Sequence, residues 1–259
     1  MPLITTHVDR YIGTITLDNA AKRNALSDAM IREIIAALDD FRERRVRAVV
    51  LRAQPGTKVW SAGHDVSELP VDGRDPLGWD DPMRNLIREI EEFRAPVIAM
   101  IEGGVWGGAC ETVFACDIIF AAPGASFAVT PAKLGVPYNV SGMLTFLNAT
   151  SLRIVKEMAF SAQAVGAERA ERLGIINSVV EASALEAHTY EFAAKIAENA
   201  PLAISVMKEQ LRILAGAHPM TPQGFERVQG LRRIVYDSLD YQEGIRAFKE
   251  KRKAVFTGE

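Results

Sequence analysis

The stretch from Pro96 to Glu111 constrains this chain more than any other. Residues 96–101, Pro-Val-Ile-Ala-Met-Ile, form an unbroken apolar run of a length that suits a buried strand. Gly103, Gly104, Gly107 and Gly108 follow at once, and a helix-like stretch covers 109–115. Glycines at such a junction let the backbone turn sharply and let a ligand come close to the main chain. The first N–H groups of a helix have no internal partner, and the helix dipole adds partial positive charge there. The segment therefore reads either as a cradle for an oxyanion or as a tight turn whose glycines serve packing. It is not a dinucleotide fingerprint, because its glycines do not fall in G-x-G-x-x-G spacing.

A buried strand needs covering layers, and the flanking sequence supplies them. Residues 4–8 and 11–17 are rich in β-branched side chains and read as a hairpin turning near Asp9 and Arg10. Ser27 suits the N-cap of a helix carrying Met30, Ile31, Ile34, Ile35, Leu38 and Phe41 on one face. Residues 47–53 are the next strand, and 83–93 is an amphipathic helix leading back to the apolar run. This alternation predicts an α/β fold with right-handed crossovers and a mostly parallel sheet. Short strands are expected at 117–122 and 126–129, then a structured loop over 130–139. Beyond it the chain is helical, with stretches at 151–161, 167–173, 185–199, 201–215, 225–237 and 241–251. The change of character divides the chain into a core, 1–182, and a helical region, 183–259, suited to packing on another subunit.

Composition narrows the function classes. The 259 residues are 48% hydrophobic, enough for a sizeable core, and the net charge of -3 gives no electrostatic footprint for nucleic acid. No apolar stretch approaches the ~20 residues of a membrane span, and no signal-peptide pattern opens the chain, so a cytoplasmic protein is expected. Cys110 and Cys116 are too few for a disulfide scaffold. The small residues of 58–65 suit a backbone exposed to a ligand. The Asp-, Pro- and Gly-containing loop 70–82 reads either as cover for a site or as a mobile segment.

Four blocks in order resemble the crotonase (enoyl-CoA hydratase/isomerase) superfamily over almost the whole chain. They are Lys22-Arg23-Asn24-Ala25-Leu26-Ser27, Ser61-Ala62-Gly63-His64-Asp65, Gly103 to Glu111, and Gly166 to Val180. The resemblance implies a crotonase-type spiral of ββα units with a C-terminal helical trimerisation part, assembled as a homotrimer or a dimer of trimers. It implies an acyl-CoA thioester as substrate, with no nucleic-acid or membrane partner. The thioester oxygen is expected between the backbone N–H groups of His64 and Gly108, where two aimed donors would stabilise an enolate.

Within the superfamily, hydratases handle water with two glutamates. Glu111 matches the first, and the second falls at Pro131, which cannot be a general base. Glu111 alone is open to two readings, a one-base isomerase residue or a buried acid held by a hydrogen bond. Narrower traits resemble the biotin-independent decarboxylating members. These are Glu68-Leu69-Pro70 with Gly73-Arg74-Asp75-Pro76-Leu77, Asp80-Asp81-Pro82, Thr130-Pro131, Leu134 to Asn139, and Lys251-Arg252-Lys253. They imply loss of carbon dioxide from methylmalonyl-CoA to give propionyl-CoA, with no biotin and no metal, coenzyme A being part of the substrate.

In that reading Tyr138 holds the reacting carboxylate; the alternative is a loop tyrosine closing a hydrophobic corner. The His64 side chain is open between binding the substrate carboxylate and filling space. By resemblance the adenine lies near Ala62, Gly63, His64, Asp65 and Val66, and the phosphates near Lys22 and Arg23. Ala25, Thr130 and Pro131 join the binding set, and Lys253 and Phe256 close over it from the same or a neighbouring subunit. Trp60 and Trp106 are expected to pack, and His7, His188 and His218 have no assigned role. The rival readings are an enoyl-CoA isomerase or hydratase using Glu111, and a non-catalytic acyl-CoA-binding homologue.

Overall fold

The computed structural model describes residues 2–70, 75 and 78–258. Most of the loop expected to cover the site, 71–74 with 76 and 77, lies outside the described residues, as do Gly73, Arg74, Pro76 and Leu77 of the narrower motif.

The hairpin forms as expected, β1 (Ile4–Asp9) pairing antiparallel with β2 (Ile12–Leu17). Helix α1 (Asp28–Glu43) starts at Ser27, whose side chain accepts from the Met30 N–H, and it buries Met30, Ile31, Ile34, Leu38 and Phe41. The chain then repeats one pattern. A long strand joins the large sheet, a short strand joins a second sheet, and a helix returns. The first repeat is β3 (Ala48–Ala53), β4 (Val59–Ser61) and α2 (Pro82–Glu92). The second is β5 (Val97–Ile101), β6 (Gly104–Trp106) and α3 (Gly108–Phe114). The third opens with β7 (Ile118–Ala121) and β8 (Ser126–Ala128), runs through a 3-10 turn (Pro131–Leu134), and reaches α4 (Val140–Ala149). This is the spiral of ββα units.

After α5 (Leu152–Ser161), short β9 (Val165–Gly166), α6 (Ala167–Arg172) and β10 (Ser178–Val179) complete both sheets. The large sheet runs β1-β2-β3-β5-β7-β10 and the small one β4-β6-β8-β9. All pairs are parallel except the hairpin and β8 with β9.

The sequence reading took 103–108 as a single turn, whereas the structure inserts β6. Val105 pairs with Phe127, so the chain leaves the large sheet at Ile101 and enters the small one at Gly104. Gly103 makes that switch at φ +80, where a Cβ would lie 2.5 Å from the Lys58 carbonyl oxygen. Only glycine fits so close to another backbone.

Every residue of β3 and β5 is buried. One face meets α1, α2 and α3, and the other meets α7 (Ala182–Glu198) through Leu185, Ala193 and Ala197. Helix α7 thus lies on the sheet although it begins the C-terminal region. Helices α8 (Pro201–Ala215) and α9 (Pro222–Tyr236) leave Leu202, Val206, Leu211, Leu214, Leu231 and Ile234 exposed. Thr221 caps α9 and Pro222 takes its first turn, so it begins three residues before the expected start at 225.

Helix α10 (Leu239–Lys249) folds back on the third repeat. Gly244 sits so close to it that a Cβ would be 2.3 Å from the Leu134 carbonyl oxygen. Leu69, Val136, Tyr236, Tyr241 and Ile245 form a small separate core there. Cys110 and Cys116 are buried free thiols. Among the described residues no helix is long and apolar enough to cross a membrane.

Candidate active site

Two of the four sequence blocks are laced together by hydrogen bonds that their residue types dictate. Asn24, buried and at φ +48, donates from Nδ2 to the Trp60 carbonyl at 2.9 Å. Ser61 Oγ donates to the Asn24 carbonyl at 2.7 Å and accepts from the Gly63 N–H at 3.1 Å. The Leu26 N–H donates to the Gly63 carbonyl and its own carbonyl accepts from the Asp65 N–H. That pairing uses both polar groups of Leu26 and turns the His64 N–H to the opposite side.

The third block meets the same point from across the small sheet. Gly63 has φ +85, and a Cβ there would lie 2.4 Å from the Trp106 carbonyl oxygen and 2.8 Å from the Gly108 nitrogen. From the other side, a Cβ on Gly108 would be 3.4 Å from the His64 nitrogen. The amides of His64 and Gly108 are therefore neighbours. Gly107, at φ +55, spends its own N–H on the Ala128 carbonyl at 2.8 Å and leaves Gly108 as the first residue of α3. Among the described residues neither the His64 nor the Gly108 N–H has a protein acceptor. Two adjacent unspent donors, one of them at a helix start, form a site for developing negative charge.

These amides open on a cavity of about 1370 Å³. Lys22, Arg23, Ala25, Ala62, His64, Asp65, Val66, Gly108, Glu111, Thr130, Pro131 and Tyr138 all line it. Gly63 sits behind the wall. Lys253 and Phe256 are not among the lining residues; α10 instead contributes Phe248, with Lys251 just after it. Trp60 packs as expected, fully buried with Nε1 donating to the Met100 carbonyl at 3.0 Å, whereas Trp106 lines the cavity.

Glu111 stands one turn into α3, about 1% exposed, and takes an ion pair from Arg84 of α2. Burial is the main influence on its carboxyl and lifts it to about 7, Arg84 opposing and Glu91 and Asp81 assisting. Pro131 begins the 3-10 turn, and the carboxylates among the lining residues are Asp65 and Glu111. Asp65 caps the turn Val66–Glu68, with Lys22 3.9 Å from its second oxygen, so Glu111 is the one that reaches the inner end.

Tyr138 stands between Glu111 and Phe146. Its ring meets Phe146 edge-on at 5.0 Å, and a Cβ on Gly142 would be 2.9 Å from Tyr138 Cδ1 and 3.0 Å from Glu111 Oε1. The tyrosine hydroxyl is buried and, among the described residues, has no hydrogen-bond partner. Burial, then the charge of Glu111, pushes its pKa well above the ordinary value, so the phenol keeps its proton and remains a donor. His64 Nδ1 lies 3.1 Å from the Asp65 carbonyl oxygen, and Nε2 lies 3.5 Å from Asp81 Oδ2.

Sequence reasoning missed Arg84, Asp81, Asn24, Phe248 and Lys251. The signal for Asp81 was present, since an Asp before Pro82 is a helix N-cap, and its side chain does accept from Met83 and Arg84. Among the described residues no group of three or more His, Cys, Asp or Glu side chains is placed to hold a metal ion.

Spiral and site together define a crotonase-type protein. A family model described as enoyl-CoA hydratase/isomerase matches residues 8–259, and the chain belongs to that family. Among its relatives, methylmalonyl-CoA decarboxylase of Escherichia coli (strain K12) is 48% identical over 257 residues, covering 96% of this chain and 98% of that protein. Carnitinyl-CoA dehydratase of Escherichia coli O157:H7 is 34% identical, covering 94% of each. A solved methylmalonyl-CoA decarboxylase in complex with 2-nitronate-propionyl-CoA superposes with a TM-score of 0.98 at 47% identity, covering 99% of each chain.

Proposed function

We propose that this protein is a carboxy-lyase that removes carbon dioxide from methylmalonyl-CoA to give propionyl-CoA, by way of a thioester enolate. The observation that carries this reading is the Tyr138 hydroxyl. It is a buried donor without a partner among the described residues, beside the same cavity as two unspent amides.

The carbon–carbon bond breaks only when it stands perpendicular to the thioester plane, because its electrons must flow into the carbonyl. Tyr138 holds the carboxylate in that attitude, a positioning effect that can be large. The His64 and Gly108 N–H groups receive the charge that arrives on the thioester oxygen, and one such donor is typically worth ~3 kcal/mol. No base takes part in releasing carbon dioxide, which agrees with Pro131 in place of a second glutamate and with Glu111 committed to Arg84. A proton then reaches the α-carbon to complete the propionyl group. The reaction so written draws on neither biotin nor a metal ion.

Lys22 and Arg23 at the cavity mouth suit the phosphates of coenzyme A, with 62–66 beside the adenine, and Lys251 just after α10 adds a cation. Lys253 and Phe256 would close over the nucleotide from the tail. The exposed apolar residues of α8 and α9 support a homotrimer or a dimer of trimers, and the enzyme would work in the cytoplasm.

Incubation with methylmalonyl-CoA, followed by mass spectrometry of the thioester pool, should show loss of carbon dioxide. Turnover of crotonyl-CoA with none of methylmalonyl-CoA would replace this reading with a hydratase or isomerase acting through Glu111. Tight acyl-CoA binding without turnover of any thioester would make the protein a binder.

A further inference from the structure

The side chain of His64 has a defined place that its backbone role does not require. Its Nδ1 faces the Asp65 carbonyl oxygen at 3.1 Å, and a carbonyl only accepts, so Nδ1 carries a proton. Its Nε2 faces Asp81 Oδ2 at 3.5 Å. The other oxygen of Asp81 accepts from the Met83 N–H at 2.9 Å and the Arg84 N–H at 3.3 Å, so this side chain is fixed as the cap of α2. A proton shared between a carboxylate and an imidazole resides on the imidazole, whose ordinary pKa is about 6.5 against about 3.9. Nδ1 therefore holds a proton against an acceptor, and Nε2 faces a carboxylate that favours a second proton there.

We propose that His64 is a fixed imidazolium beside the oxyanion site, held by Asp81 and the Asp65 carbonyl, whose charge stabilises the enolate on the thioester oxygen. This rests on the decarboxylation reading and adds to it a positioning and electrostatic role for the ring. His64 lines the cavity, and its ring is only a few bonds from the amide that is aimed at the oxyanion. With Nδ1 on the Asp65 carbonyl and Nε2 facing the Asp81 carboxylate, it acts through its field and does not hand its proton to the substrate.

Other charged groups near it are already committed. Asp65 faces Lys22 at 3.9 Å and Ser67 Oγ at 2.6 Å, and Glu68 accepts from the Asp28 N–H at 2.9 Å. Arg84 and Glu111 pair with each other. Burial works against the charged ring, but Asp81, the Asp65 carbonyl and Glu68 outweigh it, so the imidazole titrates above its ordinary value. The contact with Asp81 also ties the oxyanion loop to the start of α2, which carries Arg84.

The test is the pH dependence of kcat and KM for methylmalonyl-CoA between about pH 5.5 and about pH 9, in wild type, His64→Gln and Asp81→Asn. His64→Gln keeps the backbone N–H and removes the charge. Its kcat should be about 10- to 100-fold lower near pH 6.5 and independent of the histidine ionisation, with KM within about threefold. Wild-type kcat should fall as pH rises past the imidazole pKa and approach that of the variant. Asparagine caps a helix as well as aspartate does, so Asp81→Asn should leave α2 intact and move the break to lower pH.

Of the four histidines, the ring signal absent from the His64→Gln NMR spectrum identifies His64. Its midpoint should coincide with the kinetic one. Parallel profiles for wild type and His64→Gln, or a His64 ring titrating at or below about 6.5, would overturn the inference. No turnover by wild type would instead remove the decarboxylase reading, and the role with it, while the NMR midpoint would still report whether the imidazolium exists.

Discussion

Arg84 and Glu111 meet inside the protein, Nη1 of the one donating to Oε1 of the other, with side chains only 6% and 1% exposed. They join α2 to α3 behind the oxyanion amides. They also place the Glu111 carboxylate, which lines the cavity, under the control of a cation. Removing one partner of such a pair leaves the other largely desolvated and unpaired.

Arg84→Met should therefore lower the unfolding free energy, read as a lower urea midpoint at unchanged m-value. The loss should be least at low pH, where Glu111 keeps its proton, and reach up to about 3–5 kcal/mol at high pH, where it would be charged. Adding Glu111→Gln should recover much of that loss, because no charge is then stranded. A double-mutant cycle measures the coupling directly. Additive single effects would mean that the two side chains do not interact.

Glu111 also gives stability a pH dependence. Burial lifts its carboxyl from 4.5 to about 7 against the pull of Arg84, so the folded protein keeps a proton that the unfolded chain releases. Stability through this group is full below about 4.5 and declines as pH rises towards about 7, then levels off. The decline is at most a few kcal/mol, because each pH unit crossed between the two values removes about 1.4 kcal/mol. Urea unfolding at both ends of the window should show it, and Glu111→Gln should flatten it. The same variant should keep decarboxylation within about tenfold, since breaking the bond to carbon dioxide uses no base.

Much of this site was legible in the chain. Gly63 and Gly107 stand where only a positive φ gives room, and Pro131 disqualifies a second base without any coordinates. The strand-helix rhythm also gave the large sheet, because alternating apolar and amphipathic segments have few other solutions. The second sheet was legible only in part: β8 was expected at 126–129, but β4 and β6 have only three residues each and carry no periodicity. Arg84 was not legible either. An arginine on an amphipathic helix reads as solvent-facing, and only the approach of α3 turns that position inward. Phe248 and Lys251 reach the cavity because Gly244 lets α10 lie against Leu134, a contact between segments about a hundred residues apart.

Tyr138→Phe separates function from stability. A buried hydroxyl that finds no partner among the described residues already bears its desolvation cost, so its removal should leave stability unchanged or raise it by about 1 kcal/mol. Decarboxylation should nonetheless fall about 100-fold in kcat, while affinity for coenzyme A itself stays within about twofold. A stable, fully active variant would take the phenol out of the mechanism.

Gly63→Ala tests the amide pair, which no side-chain truncation can reach. Alanine at φ +85 is strained, and its Cβ would sit 2.4 Å from the Trp106 carbonyl and 2.8 Å from the Gly108 nitrogen. Both obstacles are backbone, so the start of α3 must shift and the two N–H groups must lose their common focus. The expected result is a kcat reduced by about 100-fold or more, the scale of one lost oxyanion donor. Gly56→Ala is the matched control, because its φ is +73 but nothing lies within 4 Å of the new Cβ. It should carry a strain of about 1–2 kcal/mol and leave kcat intact. If both variants lost stability alike and Gly63→Ala still turned over at the wild-type rate, the neighbouring amides of His64 and Gly108 could not be what receives the charge.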